Sequence, residues 1–384
     1  MNIIGKKIGI VGGGQLGKMM ILEAKRLGFF VAVLDPDPVC SAASICDALI
    51  VADLHDEAAF VQFARQVDVI TYEFENINAA ALEKLEQQGH VIYPSVKSLK
   101  TIQNKLLQKQ ALESAGIPVP RFVKVQSTQD VAKAGETFGY PMMLKTTTGG
   151  YDGYGNALVR DVASIEAAYQ KLGAGAKELM VEAFVPFEKE VSIIATRGID
   201  GARAIYPVAE NHHENSRLDT TIVPARIDEQ ASKRVGEVAD RVMELFEGVG
   251  TFGIELFVTK DGNVLVNEVA PRPHNSGHYT IEGCLVNQFE NHVRAIVGLP
   301  LGDSTLKQPT VMVNLLGESD GPTQVEGLTQ VYEDPMVKVH LYGKPQAKIH
   351  RKMGHITAID QTVEGAITRA EKARVLVHVV GNKQ

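Results

Sequence analysis

Cysteine is scarce: 384 residues hold only Cys40, Cys46 and Cys284. Their spacing matches no metal or disulfide signature, and an odd count favours a reducing compartment. No apolar run approaches the length that crosses a bilayer, and the first residues show no secretory pattern. A cytoplasmic setting with no membrane partner is therefore expected. Positive charge is also short: 39 Lys and Arg against 46 Asp and Glu leave a formal charge of −7. That argues against nucleic acid as a partner, but leaves room for a local cationic pocket around a small anion. What is present is a globular composition, 45% hydrophobic and 22% charged. The length exceeds one ordinary core, so two or three domains are expected.

The first hundred residues alternate strand and helix. KKIGIV reads as a strand, GGGQLG as a turn and KMMILEAKRLG as a helix. FFVAVLD, VDVITYEF and HVIYP follow as further strands, which predicts an open, largely parallel sheet. Gly12, Gly14 and Gly17 fit the dinucleotide fingerprint G-x-G-x-x-G, with Asp35 at the end of the second strand. A nicotinamide-dependent oxidoreductase is one reading. A glycine turn required by packing alone is another, and a site for some other phosphate a third. Glu73 and Glu75, in TYEFENIN, lie on one side of a strand end, where such sheets bind ligands.

The middle of the chain carries a different pattern. SVKSLKTIQNKLLQKQALESAG predicts one helix of several turns, stopped by Gly116 and the prolines beyond. Lys105 and Lys109 fall one turn apart on it, and spacing alone reads them as a solvated face. Several closely spaced strands follow and look antiparallel. After PMMLK comes KTTTGGYDGYGN, too rich in glycine for a regular element yet holding two tyrosines and an acid. Glu255 in GIELFV and Glu268 in VLVNEVAPR sit in apolar strands. Unpaired buried carboxylates are costly. Two of them facing each other, with Asn267 beside one, form a hard oxygen site suited to magnesium. Solvent-facing acids, or pairing with Arg272, are the alternatives.

The order of Lys105, Lys145, the glycine loop, Glu182 to Val185, Glu190, Glu255 and Asn267–Glu268 resembles the ATP-grasp superfamily. GGGQLGKM, GGYDGYGN and APRPHNSGH narrow the resemblance to its ATP-dependent carboxylating ligases of purine biosynthesis. It covers nearly the whole chain. It implies a Rossmann-like parallel sheet in residues 1–103, an ATP-grasp fold of two antiparallel-sheet subdomains in 104–298, and a small β-rich C-terminal domain in 299–384. The implied substrates are ATP, bicarbonate and aminoimidazole ribonucleotide, with Mg2+ (or Mn2+) as cofactor and a homodimer as assembly. Another ATP-grasp ligase, using formate or an amino acid, is the alternative activity.

The same resemblance implies the site. Lys105 and Lys145 would meet the phosphates of ATP, and Gly150, Tyr151, Asp152, Gly153, Tyr154, Gly155 and Asn156 would close over them. Glu182, Ala183, Phe184 and Val185 would read adenine, partly through backbone groups. Glu190 would hold the ribose, with His213 and Asn267 near the nucleotide. Glu255 and Glu268 would bind the metal. Arg272 and His274 would bracket carboxyphosphate, Arg272 because its planar donors match carboxylate and phosphate oxygens. Gln15, Leu16, Glu73, Tyr151, Asp152, Asn275 and Ser276 would face the ribonucleotide, and Lys344 and Arg351 would reach its phosphate. One departure stands out: relatives commonly carry a basic residue where this chain has Tyr154.

Overall fold

The computed structural model describes residues 5–150 and 154–382. Five parallel strands open the chain. Lys7–Val11 is central, with Phe30–Asp35 and Ala48–Val51 on one side and Val69–Tyr72 and Val91–Ile92 on the other. The chain leaves the central strand between two neighbours that connect in opposite directions, which opens a crevice at the strands' carboxyl ends. Helix Gln15–Arg26 starts there. Its Leu16, Met19 and Met20 pack on Phe289, Val293 and Val297 of helix Gln288–Val297, which binds the first sheet to the middle of the chain.

The expected single helix over residues 96–114 is two helices, Val96–Gln103 and Lys105–Ser114. Asn104 between them is extended, with φ −106° and ψ 110°. Its side-chain oxygen accepts the backbone N–H groups of Leu106 and Leu107 at 3.0 and 3.1 Å, a cap that starts the second helix afresh. Lys105 is thereby the first residue of a helix, and its N–H donates to Thr147 O at 2.7 Å.

Two antiparallel sheets follow, as the sequence leads one to expect. The smaller has the order Phe122–Val125, Leu179–Ala183, Met142–Thr146, Asn156–Val159. The larger has nine strands. It runs from Val264–Ala270 through Gly250–Thr259, Phe187–Arg197, Ala209–Glu214 and Arg217–Val223. It then continues without a break into Thr310–Leu316, Lys352–Ile359 and Val337–Leu341. The small C-terminal part is thus an extension of the central sheet, completed by three short strands and helix Val363–Arg374. The β-rich expectation for residues 299–384 includes no such helix. That helix buries Ala366, Ala370 and Ala373, residues too small to leave a strong apolar signature. Among the described residues no helix is long and apolar enough to cross a membrane.

Candidate active site

A cleft of about 950 Å³ runs from the crevice of the parallel sheet to the space between the two antiparallel sheets. Gln15, Leu16 and Glu73 line its first end. Arg272, His274 and Asn275 line its middle, and Lys105, Lys145, Glu182 to Val185, Glu190, His213, Glu255, Asn267 and Glu268 its far end. Gly150, Tyr154 and Asn156 also face it, whereas Gly155, Ser276, Lys344 and Arg351 do not line it. Tyr151, Asp152 and Gly153 lie outside the described residues.

At the first end the glycine turn is filled from within. Gly14 and Gly17 donate their N–H groups to the Glu73 carboxylate, and Gly13 donates to Asp35 Oδ2 at 2.6 Å. A Cβ on Gly14 would stand 2.5 Å from Glu73 Oε1, so the turn needs glycine to admit that carboxylate. The helix terminus that a dinucleotide phosphate would use is occupied by an internal anion, which removes the main support for the nicotinamide reading. Burial raises the pKa of Glu73, and the two glycine N–H groups oppose the rise.

At the far end the acids and lysines are interleaved. Glu255 and Glu268 stand directly opposite each other on neighbouring strands, with a bulge after Glu255. Burial raises the Glu255 pKa, and the charges of Glu268 and Glu190 add to the rise. Burial presses Glu268 the same way, but Lys105, with Nζ at 2.5 Å from Oε2, outweighs it and holds the acid ionised. Lys145 Nζ lies 2.6 Å from Glu182 Oε2, while Lys109 Nζ donates to Glu182 Oε1 at 2.9 Å and to Val266 O at 3.1 Å. Lys109 is therefore no solvated lysine: its side chain is 3% exposed. The Glu182 carboxylate is spent on the two lysines, so any reading of adenine on this segment falls to the backbone. Phe187 and Phe257 stack at 4.9 Å on the cleft wall beside Met143 and Val185, a flat apolar surface suited to a base. Glu190 Oε2 meets His213 Nδ1 at 2.6 Å. Burial would lower the histidine's pKa, but the hydrogen bond to Glu190 outweighs it and raises it.

In the middle, Arg272 is gripped by Glu75 from the first domain, with Nε at 2.8 Å from Oε1 and Nη2 at 3.2 Å from Oε2. The carboxylate meets one edge of the guanidinium with both oxygens, as a carboxylate ligand would. His274 Nδ1 pairs with Ser276 Oγ at 2.8 Å, and its Nε2 lies 3.5 Å from Glu255 Oε1. Burial, then the nearby charge of Arg272, holds His274 well below the usual histidine range, so it is neutral. The expectation that Ser276 faces the ribonucleotide does not hold: it is fully buried, and its hydroxyl orients His274. Asn275 lines the cleft while donating to Asn314 Oδ1 at 3.1 Å.

The C-terminal cations divide. Lys344 Nζ reaches Gln15 Oε1 at 3.1 Å and Lys352 O at 2.8 Å, so it stands behind the first end of the cleft. Arg351 stays off the cleft, and its neighbour Lys352 lines it instead. Lys352 is a cleft-lining group that sequence reasoning left without a role, and Lys109, read there as solvated, is buried behind the cleft. Strand alternation around residue 351 would have pointed to one of two adjacent basic residues, though not to which.

Comparison with known proteins gives three successive family matches. The ribonucleotide synthetase preATP-grasp domain matches residues 5–103, the ATP-grasp domain residues 110–289, and the phosphoribosylaminoimidazole carboxylase C-terminal domain residues 310–369. The N5-carboxyaminoimidazole ribonucleotide synthase of Staphylococcus epidermidis is 41% identical over 360 residues, 94% of each chain. That of Bacillus subtilis is 41% identical over 361 residues, 93% of this chain and 92% of that one. The crystal structure of the synthetase from Thermotoga maritima superposes with a TM-score of 0.90 at 44% identity, covering 98% of this chain and all of that one. The Aspergillus clavatus enzyme, crystallised with ADP and 5-aminoimidazole ribonucleotide, superposes at 0.87 with 34% identity over 96% of this chain and 98% of its own.

Proposed function

We infer the roles below from one premise: this chain belongs to the N5-carboxyaminoimidazole ribonucleotide synthase family of ATP-grasp ligases. It is an enzyme that carboxylates 5-aminoimidazole ribonucleotide at the expense of ATP in purine biosynthesis. The observation that carries the assignment of its site is the single cleft. It joins an end of interleaved lysines and acids, an arginine that already holds a carboxylate, and a crevice at the carboxyl ends of a parallel sheet.

ATP would lie between the antiparallel sheets, its base on the Phe187–Phe257 stack. Lys105 and Lys145 would exchange their present carboxylate partners, Glu268 and Glu182, for phosphate oxygens. Glu255, Glu268 and the Asn267 side chain form a hard oxygen donor set that fits Mg2+ or Mn2+. Among the described residues no three His, Cys, Asp or Glu side chains gather around one point, so the remaining ligands would be phosphate and water. When bound, the metal would neutralise phosphate charge as the γ-phosphoryl moves.

A bicarbonate oxygen attacks the γ-phosphorus, the bond to the β-bridging oxygen breaks, and ADP leaves with carboxyphosphate formed. Arg272 would hold the carboxyl end of this species, and neutral His274 would face it without adding repulsion to Arg272. Carboxyphosphate then releases phosphate and carbon dioxide, and the exocyclic amine of the ribonucleotide attacks the carbon as it loses a proton. Gln15, Leu16, Glu73 and Asn275 would border the ribonucleotide, with Lys344 behind Gln15. A cytoplasmic homodimer is the expected setting, and light scattering checks the assembly.

The test is ADP release with bicarbonate, with and without aminoimidazole ribonucleotide, repeated with formate or amino acids in place of bicarbonate. Turnover should require bicarbonate and yield the carboxylated ribonucleotide. Turnover with formate or an amino acid, and none with bicarbonate, would overturn the assignment.

A further inference from the structure

Glu182 carries one lysine on each carboxylate oxygen, and only one of the two can reach the cleft. Lys145 lines the cleft; Lys109 does not. Lys109 is fixed from three directions. It rises from helix Lys105–Ser114, bonds Glu182 on the smaller sheet at 2.9 Å, and bonds Val266 O on the larger sheet at 3.1 Å. Both partners of this pair are 3% exposed. A carboxylate so deeply buried is tolerated only with a charged partner in place. Burial would raise the pKa of Glu182, but Lys109 and Lys145 outweigh it and keep it ionised. Burial lowers the pKa of Lys109; Glu182 and, farther off, Glu268 favour its charge, while Lys145 opposes it.

We propose that Lys109 is a positioning residue for nucleotide binding, a standing counter-ion that keeps Glu182 paired while Lys145 turns from Glu182 to the phosphates of ATP. The inference rests on the reading above that Lys145 takes the phosphates. Each oxygen of Glu182 has its own lysine, so the departure of Lys145 leaves Oε1 bonded. Without Lys109 the same departure would strand a buried carboxylate, and Glu182 would hold Lys145 against the phosphates. Lys109 touches neither substrate nor metal in this arrangement. Its effect passes entirely through the carboxylate it shares.

The experiment compares wild type with Lys109→Met, Lys145→Met and the double variant Lys109→Met/Glu182→Gln, by calorimetric binding of Mg-ATP and by both KM values. Lys109→Met should weaken ATP binding about tenfold or more, the worth of one charge-assisted contact, with the ribonucleotide KM changed less than about twofold. The double variant should regain most of that loss, because the anion that holds Lys145 is gone. If Lys145→Met weakens ATP binding and Lys109→Met does not, the inference fails while the nucleotide site stands. If Lys145→Met leaves ATP binding unchanged, the reading of Lys145 itself fails. A double variant no better than Lys109→Met would show that sharing of Glu182 is not the cause. Should Lys109→Met not fold, wild-type protein labelled with 15N-lysine gives the same decision. On addition of a non-hydrolysable ATP analogue with magnesium, the Lys145 ammonium signal should move and that of Lys109 stay. Movement of both would overturn the proposal.

Discussion

Glu268 faces Glu255 across two strands and Lys105 at 2.5 Å, so one carboxylate serves two partners. Replacing it by Gln keeps the shape but removes charge from both the proposed metal ligand and a lysine's counter-ion. Turnover should fall about a hundredfold or more, the scale of losing one fixed electrostatic stabiliser. Steady-state rates over a magnesium titration check this, and near-normal rates at limiting magnesium would remove Glu268 from the ligand set. The C-terminal cations permit a sharper comparison. Lys344→Ala should raise the ribonucleotide KM about tenfold with little change in kcat or in the ATP KM, because Lys344 holds cleft-lining Gln15 in place and would add its charge behind it. Arg351→Ala, at a residue off the cleft, should leave both KM values near wild type. The reverse pattern would exchange their assignments. The facing of Glu255 and Glu268 was legible in the sequence, because acids in apolar strands demand a partner. The burial of Lys109 was not. Helical spacing shows that two lysines share a face, but not that the face meets Glu182, more than seventy positions away.

Asn104 shows how a local signal can hide inside a longer one. The apolar periodicity on its two sides is continuous enough to suggest one helix, yet the cap at Asn104 restarts it and aims Lys105 and Lys109 inward. Asn104→Ala should cost about 1 kcal/mol of stability, the usual worth of such a cap, and also weaken ATP binding because both lysines depend on this helix start. Chemical denaturation alongside ATP titration separates the two effects. A stability loss with unchanged ATP affinity would mean that the lysines hold the helix rather than the reverse. The strands around Glu255 and Glu268 were legible because their apolar runs are long. Helix Val363–Arg374 was not, because an alanine face carries little hydrophobic contrast with its surroundings. The hydroxyl of Ser276 looked like a ligand contact within HNSGH, and only the fold shows it turned inward onto His274.

The first two parts of the chain are tied together at His292, whose ring joins the parallel sheet to the large antiparallel one. Its Nδ1 accepts the Thr251 N–H at 3.0 Å, so the neutral ring carries its proton on Nε2, which faces Thr71 Oγ1 at 2.9 Å. Burial drives its pKa down to about 3. The unfolded chain takes up that proton near pH 6.5, so the stability His292 contributes is full above that pH and declines as pH falls toward about 3, by up to about 1.4 kcal/mol per pH unit. His278 and His355, also pushed well down by burial, act in the same direction, while the raised carboxylates Glu73 and Glu255 act in the opposite one. A His292→Gln variant isolates the single group: it should be less stable than wild type at pH 7, with a gap that narrows toward pH 5. A constant gap in thermal unfolding would show that His292 does not titrate in this window. At this level the order of motifs along the chain made the architecture legible, but the continuity of the nine-stranded sheet was not. It depends on Arg217–Val223 pairing with Thr310–Leu316, strands that no local pattern connects. That continuity has a mechanical consequence. Glu255, Glu268 and the strand carrying Lys352 ride on one girder, whereas among the described residues the sheet carrying Lys145 has no strand pairing with it. The smaller sheet is thus expected to move as a flap against the larger one, with the bonds from Lys109 to both sheets as its pin. Hydrogen–deuterium exchange should slow on ATP addition within residues 122–183 and stay level along Thr310–Leu316, as a hinge moves its leaf and not its post.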